Sequence, residues 1–169
     1  MRPWRTWGTA LVVGLVVVAG CSSAHDPKVD LTKAEPGLRK IIETKWFPSL
    51  DVSAVTCPTK EIPRSKGRIS TCTATVQHLP VQFKVIQTNI QGGISPQRYE
   101  AILSTAKAEQ FIMRKVADVA TVDCGTARYF VRAPGKQFHC AVVATNGRHA
   151  EIYFRVVDPL GNIKFVRNT

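Results

Sequence analysis

The sequence predicts an α+β fold made of two tandem small units, each an N-terminal helix packed on an antiparallel β-meander and closed by one intra-unit disulfide. Three observations lead there. The nine residues from Asp51 to Thr59 recur from Asp118 to Thr126, with the same Asp, Val, Val, Cys and Thr in gapless register. Glycine stands five residues before a second cysteine both times, at Gly67 and Cys72 and at Gly135 and Cys140. An apolar stripe at helical spacing precedes each β-rich region. Self-similarity with a period of about 67 residues implies a duplicated small domain rather than a short-period solenoid.

Taken in chain order, residues 1–20 read as a cleavable signal peptide. Arg2 and Arg5 give a positive start, and the uncharged run from Leu11 to Gly20 is shorter than the roughly 20 residues a spanning helix needs. Val18-Ala19-Gly20-Cys21 resembles the lipobox of bacterial lipoproteins. That resemblance implies diacylglycerol on the Cys21 sulfur, cleavage before it and acylation of the new amine. Two or more acyl chains suffice for stable anchoring, where one holds only marginally. Residues 21–34, beginning Ser22-Ser23-Ala24-His25-Asp26-Pro27 after the cysteine, read as a flexible tether.

The first unit spans 35–90. Leu38, Ile41, Ile42 and Trp46 form a helical stripe, Pro36 suits a first turn, and Pro48 ends the run. Strands follow at 52–57, 69–76 and 81–88. Gln91-Gly92-Gly93 reads as a linker or turn between units. The second unit, 95–169, should open with a helix capped by Ser95, with Pro96 in its first turn and Tyr99, Ile102, Leu103, Ala106, Met113 and Val116 along its face. Its strands are placed at 119–124, 137–144, 149–157 and 163–167.

Hairpin register follows from keeping apolar residues on one face. In the first unit a four-residue loop from Gln77 to Pro80 pairs Cys72 with Val85 and Val76 with Val81. In the second, a three-residue loop, Thr145-Asn146-Gly147 with Gly147 left-handed, pairs Cys140 with Ile152 and Val142 with Ala150. That register gathers Phe138, Cys140, Val142, Ile152, Phe154 and Val156 in the core. It turns His139, Arg148, Glu151, Tyr153 and Arg155 outward.

Four cysteines besides Cys21 allow three pairings. Pairing within units, Cys57 with Cys72 and Cys124 with Cys140, is favoured because a duplicated fold brings its own pair together. Each bridge closes a loop of roughly 15 residues, worth on the order of 3 kcal/mol, and export supplies an oxidising compartment. A zinc site would want ligand pairs spaced as in Cys-x-x-Cys, which do not occur.

Val55-Thr56-Cys57-Pro58, Gly67 and the run from Cys72 to Val76 together resemble an uncharacterised two-cysteine domain of actinobacterial lipoproteins and secreted proteins. Its pattern is Val-x-Cys-Pro, then Gly-x-x-Phe-x-Cys, then a β-hairpin. The first unit carries Ile69 and Ser70 around the expected aromatic, whereas the second keeps Gly135 and Phe138 but has Gly125 in place of proline. The resemblance implies a fold and no catalytic residues.

The chain carries a formal charge of +11, and removing residues 1–20 leaves 21 basic against 12 acidic residues, a net +9. Such a balance favours anionic surroundings such as lipid head groups and acidic wall polymers. Export and the lack of a recognition motif argue against nucleic acid. No Gly-x-Ser-x-Gly or His-Glu-x-x-His occurs, no nucleophile is expected beside a base, and no metal or cofactor is implied. His25 and His78 fall in tether and loop, while His139 and His149 approach only across a hairpin. Asp51 and Asp118 suit turns better than a catalytic pair. Tyr129-Phe130, Tyr153 and Trp46-Phe47 either fill the core or line a groove between the units.

The reading is therefore a non-enzymatic lipoprotein, anchored on the extracytoplasmic face of the cell membrane, that meets an envelope protein, a glycan or an anionic lipid. The alternative is an inhibitor of an envelope or extracellular hydrolase, by analogy with secreted β-lactamase inhibitors built from tandem helix-on-sheet units.

Overall fold

A computed structural model describes residues 28–57 and 61–166. Cys21, the segment 1–20 and the start of the tether lie outside the described residues. Both cores, both disulfides and every element named below lie within 28–166.

The first unit runs β1 (Lys28–Asp30), α1 (Glu35–Ile41), β2 (Val52–Thr56), β3 (Glu61–Pro63), β4 (Ile69–Val76), β5 (Leu79–Gln87) and β6 (Ile94–Arg98). The second runs β7 (Ala101–Ser104), α2 (Thr105–Lys115), β8 (Val119–Asp123), β9 (Tyr129–Arg132), β10 (Gln137–Ala144), β11 (His149–Val156) and β12 (Ile163–Val166). Each unit has a four-stranded antiparallel sheet, ordered β2-β4-β5-β6 in one and β8-β10-β11-β12 in the other. Each also has a two-stranded ribbon, β1 with β3 and β7 with β9, contributed by the strand before the helix and the strand after the first cysteine.

The two units are similar down to individual hydrogen bonds. Gly67 N–H donates to Gln87 O and Gly135 N–H to Val156 O, both at 2.8 Å. These glycines sit at φ +83° and +84° with open space where a Cβ would stand, so backbone conformation alone selects them. Gln77 N–H reaches Asp51 O and Thr145 N–H reaches Asp118 O, so both repeated aspartates serve through their carbonyls. The Glu35 carboxylate accepts from Cys57 N–H and the Glu109 carboxylate from Cys124 N–H, at 3.1 Å in each case, tying helix to first cysteine. The disulfides join Cys57 to Cys72 and Cys124 to Cys140, with Cα separations of 4.3 and 4.2 Å.

One core gathers Leu38 and Ile42 from the helical segment with Cys72, Ala74, Val76, Phe83 and Val85 of the sheet. The other joins Ala108 and Ile112 to Phe138, Cys140, Val142, Phe154 and Val156. The three-residue loop of the second hairpin is present as expected. Cys140 faces Ile152, Val142 faces Ala150, and Gly147 has φ +79°.

Several expectations change. Residues 28–34, assigned to the tether, form β1 and a 3₁₀ turn (Thr32–Ala34), with Leu31 fully buried. In the first hairpin Cys72 faces Phe83 and Val76 faces Leu79, so the loop is the two residues Gln77 and His78, both at positive φ. This turn matches the twist of the strands. Because the register moves by two, the expected apolar face survives intact.

Residues 95–98 do not begin a helix but add β6 to the edge of the first sheet, pairing Phe83 with Arg98. Pro96 is tolerated there because an edge strand can spare an N–H. Gln91-Gly92-Gly93 therefore lies in a hairpin turn inside the first unit, anchored by Asn89 Oδ1, which accepts from Gln91 and Gly93 N–H. Ile102 and Leu103 belong to β7, and the helix begins nine residues later than expected, capped by Ser104 instead of Ser95. Its buried residues are Thr105, Ala108 and Ile112, leaving Ala106 and Met113 exposed. Tertiary pairing of β7 with β9 overrides local helical spacing here.

Only Tyr99 and Glu100 separate β6 from β7. The β7–β9 ribbon joins the cores: Ile102 and Val131, paired across it, pack on the first, whereas Leu103 and its partner Phe130 pack on the second. Alternation along a strand sends neighbours to opposite faces, so two short strands serve two cores. The equivalent ribbon in the first unit bears Lys28, paired with Glu61 at 3.3 Å.

Candidate functional site

The helical glutamate and the first cysteine are 22 residues apart in the first unit and 15 in the second. The surplus of seven falls after the helix, where a π-turn (Ile42–Trp46) leads into the segment 46–50. That segment forms one wall of an open cleft of about 700 Å³ between the units. The size lies within the roughly 300–1,000 Å³ of ordinary ligand sites.

The facing wall is α2, which presents Ser104, Lys107, Ala108, Phe111 and Arg114 at helical spacing. Arg128, Tyr129 and the segment from Leu160 to Ile163 complete the lining. Three cations, Lys107, Arg114 and Arg128, line the cleft without a single carboxylate. Among the described residues the salt bridges are Lys28 with Glu61 and Lys33 with Asp30, so none of the three is ion-paired.

The aromatic faces are largely covered. Arg98 lies 5.6 Å over Trp46 and 5.1 Å over Phe47, and its guanidinium donates to Trp46 O at 2.6 Å. Partial burial lowers its pKa below the usual arginine value. Trp46 meets Phe83 edge-on at 5.9 Å, and Arg128 lies 5.4 Å over Tyr129. The rim loop is held by Asp158, whose carboxylate accepts from the Asn162 side chain at 2.6 Å and from Leu160 N–H at 2.9 Å. These hydrogen bonds, the Asn162 side chain foremost, hold its pKa below the usual aspartate value.

Of the aromatics singled out in the sequence, Trp46, Phe47 and Tyr129 line this cleft, Phe130 packs on Phe138 in the core, and Tyr153 stacks near exposed His139. His139 stands opposite Tyr153 and His149 opposite Val143, so they form no pair. Among the described residues no cluster of three or more potential metal ligands occurs. No helix among them is long and apolar enough to cross a membrane.

One serine–lysine spacing escapes the sequence expectation. Ser104-Thr105-Ala106-Lys107 places both residues in the cleft wall, but Ser104 Oγ accepts Lys107 N–H at 3.4 Å and serves as the helix cap. Lys107, Phe111 and Arg114 could have been found as one helical stripe once the helix start was known. The Glu35 and Glu109 ties left no signal, because their offsets from cysteine differ.

The fold and site define a two-unit, disulfide-stapled α+β protein with a basic cleft at the junction of its units. A family model described as Domain of unknown function (DUF4333) matches residues 16–92, from within the N-terminal apolar run to the turn before β6. No curated protein and no solved structure matches the chain.

Proposed function

We propose that this chain is a lipid-anchored extracytoplasmic module that binds rather than transforms its partner, and that its two halves are tandem copies of one domain. The cleft between the units carries this reading: both halves build it, a seven-residue surplus supplies one wall, and unpaired cations line it without a carboxylate. The duplicated topology and matching hydrogen bonds support the tandem reading. The match to the family model takes in Cys21 together with the first unit up to the turn before β6.

Two measurements test it. The mass of the processed protein should show acyl groups on Cys21 as the first residue; a mature chain that starts elsewhere overturns the anchoring. Crosslinking in cells should capture a partner that is lost on charge reversal at Lys107 and Arg128 and kept on reversal at exposed Lys136. Equal capture by both variants removes the cleft from the reading. A tight one-to-one complex with a hydrolase would instead favour the inhibitor alternative.

A further inference from the structure

The cleft's chemistry narrows its ligand, on the reading that it is the binding site. Lys107 and Arg114 lie two turns apart on α2, about 10 Å along its axis, with Phe111 between them. Beyond that stripe apolar Leu50, Ile102, Leu103 and Ile163 line the cleft alongside polar Ser49 and Asn162, and Leu160 at the rim is 68% exposed. A small inorganic anion would leave this apolar surface unused. A sugar that stacks on aromatic rings would compete with a guanidinium for one face each of Trp46, Phe47 and Tyr129. An extended ligand with an anionic end and an apolar body satisfies both parts. With Cys21 acylated, the seven steps to Lys28 reach at most about 25 Å, which holds the start of the first unit within that distance of a bilayer.

We propose that the cleft holds an anionic phospholipid of the membrane, with the phosphate among Lys107, Arg114 and Arg128 and the acyl segment along Phe111 and Leu160. The cations offer charge-assisted hydrogen bonds to phosphate oxygens, and the rim loop held by Asp158 presents Leu160 to the chain.

The test uses residues 22–169, which hold the whole described fold and in which Trp46 at the cleft wall is the sole tryptophan. Lysophosphatidylglycerol below its micelle concentration should change Trp46 emission saturably at one molecule per chain. Lysophosphatidylcholine, whose trimethylammonium meets the same three cations, and glycerol phosphate, which lacks the apolar part, should each bind at least about tenfold more weakly. Lys107→Glu with Arg128→Glu should abolish the response, Leu160→Glu should weaken it, and Lys136→Glu should leave it intact. All variants are first checked for unchanged circular dichroism.

Equal binding of the two lysolipids, equal binding of glycerol phosphate, or equal loss in Lys136→Glu overturns the proposal. Absence of lysolipid binding alongside partner capture that still depends on Lys107 and Arg128 overturns the lipid assignment alone and leaves the binding-module reading standing.

Discussion

Replacing Phe154 by alanine tests whether the β7–β9 ribbon makes the two units one cooperative body. Phe154 is fully buried on β11, with ring centroids of Phe165, Phe138 and Phe111 at 4.9, 5.3 and 6.3 Å. Deleting a buried phenylalanine costs about 3–5 kcal/mol through lost transfer energy and the cavity left behind. For a chain of this size each kcal/mol moves the melting temperature by roughly 2–4 °C, so a fall of about 10 °C is expected. The informative readout lies in the other unit. Ile102 and Val131 pack on the first core from the same strands whose Leu103 and Phe130 pack on the second. Loosening the second core therefore removes cover from the first. In residues 22–169, Trp46 fluorescence reports the first unit while ellipticity reports both. The two melting curves should stay superimposed and shift together. An early ellipticity transition with the Trp46 transition unmoved would refute coupling through the ribbon.

Four further outcomes are expected. Glu35→Ala and Glu109→Ala should each cost about 1–3 kcal/mol by leaving a cysteine N–H without its acceptor, and chemical denaturation should find the two losses alike. Gln77→Asn with His78→Gly should stabilise the protein by roughly 1 kcal/mol, since both native residues hold positive φ that asparagine and glycine adopt more easily; a lower denaturation midpoint would contradict the turn. Ser104→Ala should cost about 1 kcal/mol as a lost helix cap, and a fluorophosphonate should not label Ser104; labelling would show an activated serine and contradict its role as a cap. Hydrogen bonds from Asn162 and the 158–162 backbone lower the Asp158 pKa in the fold. Their stabilisation is thus present above the usual aspartate value of 3.8 and lost as pH falls through the lowered one. Hydrogen exchange at Leu160 and Asn162 should accordingly quicken in that acid range and not between neutrality and mild acid.

Much of each sheet was legible in the residues themselves. Period-two alternation from Phe138 to Val142 and from Ile152 to Val156 sets which side chains enter the core, and Gly147 sets the turn between them. The four cysteines pair within units, as their repeated spacing led one to expect. Where the turn signal was weak, at Gln77 and His78, the loop length came out two residues too long although the faces were right. The helical stripe read from Tyr99 onward failed because Ile102 and Leu103 fit a strand equally well, and only a partner could decide.

Local chemistry along the chain thus determined all strands of the two main sheets but β6, their apolar faces and the basic character of the surface, because each depends on neighbours a few residues apart, while the repeated spacing gave the cystines. Tertiary structure alone decided that β1 meets β3 and β7 meets β9, that β6 completes the first sheet, and that a surplus segment faces α2 across a cationic cleft. Those features rest on short strands with little pattern of their own. In the two ribbons the partners lie about 30 residues apart, whereas β6 meets β5 across a short turn, and the ribbons draw their stability from the cores they cover.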